Sequence, residues 1–191
     1  MPRPSPSWIL ALVLATGCAE PSGGAGDAAR AWLDAVVARD ADALHALLAP
    51  ATKAKVGELF TALDATRKLI RDGWPDDGRK AAYAATGLVG LEKVKDPKAL
   101  FAFLVGLSGT ASELGAFQRY GLRVRAADES GATTLGGDKL QLVQDGDAWF
   151  VDLSAEDRAR LDSLVLAAQA GQNRVADALA AVEKLKYPAA K

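Results

Sequence analysis

The chain has 191 residues, half of them hydrophobic, with 23 basic and 24 acidic side chains and a net charge of −1. That balance leaves no basic field to hold nucleic acid or anionic lipid by charge alone. One cysteine and one histidine exclude an internal disulfide and lend little to nucleophile–base triads or transition-metal sites, while aromatics at 6% set a modest, helix-rich core.

The first stretch lies outside any fold. Residues 1–7 carry Arg3 and no acid, and residues 8–15, WILALVLA, are wholly apolar. A charged start, a short apolar run and small residues behind it read as a secretory signal over residues 1–17. From Trp8 to Ala19 there are twelve uncharged residues, short of the about 20 that span a bilayer. Leu14-Ala15-Thr16-Gly17-Cys18 resembles the lipobox of bacterial lipoproteins. The resemblance implies cleavage between Gly17 and Cys18, a diacylglycerol on the Cys18 sulfur and an acylated new amino terminus. Only a thiolate is nucleophilic enough for that transfer, and two or more acyl chains anchor stably where one does not.

Residues 18–26 then read as the lipidated Cys18 and a flexible tether of Gly, Ser and Pro composition, with a random-coil reach of roughly 16 Å. Ala19 follows the cysteine where an aspartate, by resemblance to enterobacterial lipoproteins, would favour the inner membrane. The expected location is therefore the bacterial cell envelope, at the periplasmic face of the outer membrane in a Gram-negative cell. Removal of residues 1–17 takes away only Arg3 among charged groups, leaving 22 basic and 24 acidic side chains, a net of −2.

Residues 27–191 suit one domain. Asp27 is placed to cap a first helix with the stripe Trp32, Leu33, Val36 and Val37, and Asp40 to cap a second from Ala41 to Ala49, ended by Pro50. A third helix starts at Thr52, its stripe Val56, Leu59, Phe60, Leu63 and Ile70 at helical spacing. Residues 71–80, RDGWPDDGRK, read as a loop on their Gly, Pro and Asp content. Residues 80–95 fit either helix or strand. Asp96-Pro97 opens a helix with an apolar run from Leu100 to Leu107, and a short one over Ser112 to Tyr120 follows.

The period then changes. Leu122, Val124 and Ala126 alternate with Arg123 and Arg125, Glu129-Ser130-Gly131 reads as a turn, and Asp145-Gly146 sits between alternating runs as a hairpin signal. With Asp145-Gly146 as the loop, Leu142 faces Trp149, Leu140 faces Val151 and Lys139 faces Asp152. The other face, Gln141, Val143, Ala148 and Phe150, is half apolar and calls for a cover. Strands thus fall mainly within 121–153. Ser154 with Asp157 caps a final helix over 155–186, in which Leu161, Val165, Ala168, Gln172, Val175, Leu179, Val182 and Lys186 keep 4-3 spacing. Such a helix reaches roughly 48 Å. It is expected to pack along the sheet's second face, with a homodimer or an envelope-protein partner as the other reading.

The opening Ala29-Arg30-Ala31-Trp32-Leu33 with Asp40, and the hairpin from Lys139 to Leu153, resemble the nuclear-transport-factor-two-like superfamily, most nearly its lumazine-binding-like and SnoaL-like domains. The resemblance implies an α+β cone, helices packed on a small curved antiparallel sheet around a pocket, with the long C-terminal helix added. Members of that superfamily include isomerases, cyclases, dehydratases and binding domains, so the fold does not select a function. Trp32, Phe60, Phe117, Tyr120 and Trp149 are the apolar candidates for pocket lining. An acid–base enzyme would need an Asp or Glu with a Tyr donor, for which Asp152, Tyr83 and Tyr120 are available. The expected pairing of Asp152 with Lys139 speaks against that role. His45, beside Leu44, Leu47 and Leu48 near a helix C-terminus, reads as a structural or surface residue. No catalytic residue, metal ligand or cofactor is assigned. The reading is a lipid-anchored envelope protein with a noncatalytic binding or scaffold domain; the alternative is a membrane-tethered isomerase or hydrolase-like enzyme with an apolar pocket.

Overall fold

The structure is a computed structural model and describes residues 24–86, 88, 91, 94–105 and 116–186. Gly17 and Cys18 lie outside these residues. Seven helices are seen among the described residues: α1 (Ala25–Ala38), α2 (Ala41–Leu47), α3 (Pro50–Gly73), α4 (Asp76–Ala85), α5 (Pro97–Leu104), α6 (Ala116–Gly121) and α7 (Ala155–Lys186). Four strands, β1 (Val124–Asp128), β2 (Gly131–Thr134), β3 (Lys139–Asp145) and β4 (Ala148–Asp152), form one antiparallel sheet in chain order. The fold is α+β, and the sheet is an open meander.

Capping chemistry sets several helix starts. Asp40 Oδ1 accepts from the amides of Asp42 and Ala43, and Asp96 Oδ1 from that of Ala99, as their sequence positions require. Ser154 Oγ accepts from the Asp157 amide and donates to the Asp157 carboxylate. Two starts differ from expectation. α1 begins at Ala25 with Gly24 as its cap, so Asp27 sits in its first turn and pairs with Arg30 at 2.7 Å. The helix takes in Gly26, which lies against β1: a Cβ there would sit 3.6 Å from the Ala127 Cβ, an ordinary contact. α3 begins at Pro50, which occupies the first turn and does not merely end α2. α2 itself closes at Leu47.

The expected loop over 71–80 is replaced by a helix end and a helix start. α3 runs to Gly73, Trp74 and Pro75 make the corner, and Asp76 and Asp77 form the first turn of α4. Acids there favour the positive helix end, a signal that turn composition masked. Beyond α4, Leu88, Leu91 and Val94 recur every third residue. The amide of Leu91 donates to the carbonyl of Leu88, and that of Val94 to the carbonyl of Leu91. The short helix expected from Ser112 is described only over α6, since residues 106–115 lie outside the described residues.

The sheet begins with a hairpin at Glu129-Ser130. Asp128 Oδ1 accepts from the Ser130 hydroxyl and from the amides of Ser130 and Gly131, and these bonds hold its carboxyl below the usual range. The β3–β4 loop is Gly146-Asp147, not Asp145-Gly146. Gly146 has φ +60° at the first loop position, the signature of a type II′ turn. The register therefore pairs Asp145 with Ala148, Gln144 with Trp149, Leu142 with Val151 and Gln141 with Asp152. Leu142 does not face Trp149, Leu140 does not face Val151, and Lys139 does not face Asp152. The displacement is two residues, so every side chain keeps its expected face.

Helix α1 covers one face of this sheet. Ala29, Ala132, Leu142 and Val151 are buried together there, with Trp32, Leu140 and Trp149 packed around them. The other face stays largely open: Val143 is 37% exposed, and the Lys53 ammonium lies 5.2 Å from the centre of the Phe150 ring.

The long helix α7 does not cover that face. It packs along α3, where Leu161 and Val165 join Val56 and Leu59 in the largest core cluster, and Val175 joins Ile70, Ala82 and Leu88 in another. The pair runs parallel, with Lys55 against Asp162 near one end and Gly73 against Leu179 near the other. Both helices follow nearly matched apolar spacing over that length, which a twisted four-strand sheet cannot offer a straight rod. Beyond Leu179 the helix overhangs α3.

Asp152, at the end of β4, joins the sheet to this helical half. Its Oδ1 accepts from the Thr52 hydroxyl at 2.6 Å and from the Leu153 amide at 2.8 Å, while Oδ2 faces Arg158 at 3.2 Å. Thr52 is 2% exposed. Replacing it with Val keeps the shape and removes the donor. Thr52→Val is expected to lose about 1–2 kcal/mol in urea unfolding, and much less in an Asp152→Asn background if the two groups act as a pair. Gly131→Ala should also destabilise, by about 1–3 kcal/mol, because the new Cβ would lie 2.5 Å from the Leu140 carbonyl oxygen; the same unfolding curve measures it.

Candidate functional site

The four candidate lining residues whose side chains are described, Trp32, Phe60, Tyr120 and Trp149, do not share one chamber. Trp32 is half-buried between α1, the sheet and Phe101, whose ring centre is 6.5 Å away. Trp149 packs on the sheet side of α1. Phe60 lies against the α3–α7 core under the Arg67 guanidinium, 5.6 Å from its ring centre. Tyr120 is 57% exposed on α6 with Arg123 at 5.7 Å. Phe117 lies on α6, and its side chain is outside the described residues. Phe101, 2% exposed, is the aromatic that sequence reasoning did not single out, although its place two residues before Phe103 in an apolar helix gave the cue.

The acid and the donors considered for proton transfer are also apart. Asp152 is engaged at the β4–α3 joint. The Tyr83 hydroxyl faces the Arg67 carbonyl at 3.5 Å on the far half of α3, and Tyr120 stands on the surface. Among the described residues, no group of three or more His, Cys, Asp or Glu side chains is placed to hold a metal ion.

His45 occupies the last turn of α2, edge-on to Phe101 with ring centres 6.0 Å apart. Its Nε2 is buried and has no hydrogen-bond partner among the described residues. Burial, then the ammonium groups of Lys53 and Lys98, push its pKa below the usual imidazole value, against the weaker pull of Asp96 and Asp42. The imidazole is therefore neutral at pH 7, and the cation favoured at a helix C-terminus is absent. Lys53 donates instead to the Ala46 carbonyl at 2.6 Å.

An open, largely apolar groove of about 550 Å³ lies between α4 and α7. Gly78, Ala81 and Ala85 form one wall and Gly171, Val175 and Ala178 the other, with Trp74 at one end and Arg174 on the rim. Small residues at helical spacing on both sides leave the gap. In the comparisons with known proteins, no family model, no curated protein and no solved structure matches this chain.

The lowered pKa of His45 has a pH consequence. The unfolded chain binds the imidazole proton near the ordinary value of about 6.5, and the folded chain only at lower pH. The stability from neutral His45 is thus complete above that value and is lost as pH falls through the folded pKa. Wild type should lose stability relative to His45→Leu between pH 7 and pH 5, by at most about 1.4 kcal/mol per pH unit before solvent screening reduces it. Parallel urea midpoints for the two proteins across that range would contradict the assignment.

Proposed function

We propose that this chain is a lipid-anchored protein of the bacterial cell envelope whose α+β domain acts as a noncatalytic binding or scaffold module. The observation that carries the reading is the order Arg3, apolar residues 8–15, small residues 15–17 and Cys18, the only thiol in the chain. Residues 25–26, expected to belong to the tether, are instead the first residues of α1; in this proposal the residues between Cys18 and α1 link the lipid to the fold. No helix among the described residues is long and apolar enough to cross a membrane, so the anchor in this proposal is the acylated Cys18.

The noncatalytic part rests on where the polar groups lie. An acid–base site needs an acid and a donor gathered in one pocket, whereas Asp152 serves the β4–α3 joint and Tyr83 and Tyr120 stand on separate elements. The groove between α4 and α7 supplies apolar contact area without a convergent acid. The binding partner in this reading is another envelope protein or a second copy meeting the long C-terminal helix.

Expression of wild type and Cys18→Ser with labelled palmitate tests the anchor. Wild type should take up label and fractionate with membranes, while Cys18→Ser should lose at least tenfold of the label and become soluble or remain uncleaved. Equal labelling of the two proteins would overturn the proposal.

A further inference from the structure

One groove outside the features used above collects an excess of positive charge. It is bounded by α3, α4 and residues 94–95 and has a volume of about 330 Å³. Arg67, Lys68, Arg71 and Lys95 line it with Tyr83, and Asp64 is the one carboxylate among the lining residues.

The four cations differ in what they can still do. Arg67 is built into the wall: its side chain is 16% exposed, Nη1 donates to the carbonyls of Leu91 and Val94 at 3.0 and 2.5 Å, and Nη2 donates to Asp64 at 2.8 Å. Asp64 is shared, because the Lys68 ammonium also lies 2.8 Å from it. Hydrogen bonds from Lys68 and Arg67 hold the Asp64 carboxyl below its usual range, so it stays charged. Arg71 spends Nε and Nη2 on Asp72, at 2.6 and 3.1 Å, which leaves Nη1 for another acceptor. Lys68 and Arg71 are 60% and 63% exposed.

Pairing along α3 accounts for Asp64 with Arg67 and Lys68 as a helix ladder. It does not account for Lys95, which comes from a separate segment and faces the same groove. Among the described residues, even with Asp72 counted beside Asp64, the cations exceed the carboxylates by two. We propose that this groove binds a phosphate monoester, whose charge of about −1.5 to −2 at neutral pH matches that excess. The donors are Lys68, Arg71 Nη1 and Lys95, with Arg67 as the fixed wall that positions them. Residues 64–71 lie roughly 21–32 Å along α3 from its first turn, on the half away from the sheet and from the start of α1. That position points to a soluble phosphate-bearing molecule over the headgroups of an anchoring bilayer.

Amide NMR of the full chain, titrated with inorganic phosphate and with glycerol phosphate, tests this. Saturable shifts are expected around Lys68, Arg71 and Lys95, weakening as salt rises. Lys95→Gln and Arg71→Ala should each weaken binding about tenfold, with unchanged urea unfolding because both side chains are exposed. A parallel titration with phosphatidic acid vesicles, whose headgroup is itself a phosphate monoester, separates the sources: a response to vesicles alone overturns the soluble source and assigns the same phosphate chemistry to a lipid headgroup. No saturable shift with any probe, or equal affinity in the two variants, overturns the proposal. Cys18→Ser should leave phosphate binding unchanged, so the fate of the anchor and that of the groove are read separately.

Discussion

The architecture turns on one carboxylate. Asp152 closes β4, accepts from Thr52 on α3 and faces Arg158 on α7, so three elements meet at a single side chain. Beside it, the Ala49 amide donates to the Val151 carbonyl at 2.9 Å, which ties the α2–α3 corner to the edge of the sheet. Bonds to a charged acceptor in a half-buried place are stronger than neutral ones and costly to leave unmade. The joint fixes the direction in which α3 and α7 leave the sheet. Both start at that point and run the same way, and their parallel packing follows from that shared origin.

The molecule consequently divides its apolar surface between two assemblies. Near the sheet, α1 presents Ala29 and Trp32 to Leu142 and Val151. Away from it, α3 and α7 bury Val56, Leu59, Leu161 and Val165, and α4 adds Ala82 against Ile70 and Val175. Alanine and glycine on α4 let backbones come near without filling the space between them, and a groove remains where larger side chains would have closed it. The aromatic residues are spent at the seams of these assemblies. Trp32 spans the two clusters beside the sheet and under α5, and Phe101 sits between Trp32 and His45.

Much of the fold was legible because its signals were local. Asp40, Asp96 and the Ser154–Asp157 pair cap the helices their spacing indicates, and the 4-3 pattern through Gly171 correctly gave one unbroken C-terminal helix. The misses were of two kinds. One was local competition: Gly, Pro and Asp in residues 71–80 suggested a loop, yet Asp76 and Asp77 are well placed in a first helical turn. The Asp-Gly signal likewise located the hairpin but not which two residues turn, because Gly146 supplies the positive φ from the first loop position. The other kind was tertiary. Which surface α7 covers depends on the direction set at Asp152, and no periodicity encodes that. The cluster of Arg67, Lys68, Arg71 and Lys95 was equally hidden, since Lys95 reaches the groove through a turn 24 residues beyond Arg71.

The second sheet face shows how the chain handles a surface that no described element covers. Phe150 and Val143 would invite a partner strand or helix if left bare. Lys53 lays its stem toward Phe150, brings its ammonium within cation–π range and donates to the Ala46 carbonyl. Burial lowers the Lys53 pKa as a result. The same ammonium is among the charges that disfavour protonation of His45. One lysine therefore lies over the sheet's Phe150 and adds to the burial that keeps the neighbouring imidazole neutral. Lys53 is thus committed to structure, while at the far half of α3 the Arg71 Nη1 retains donors that no described residue uses.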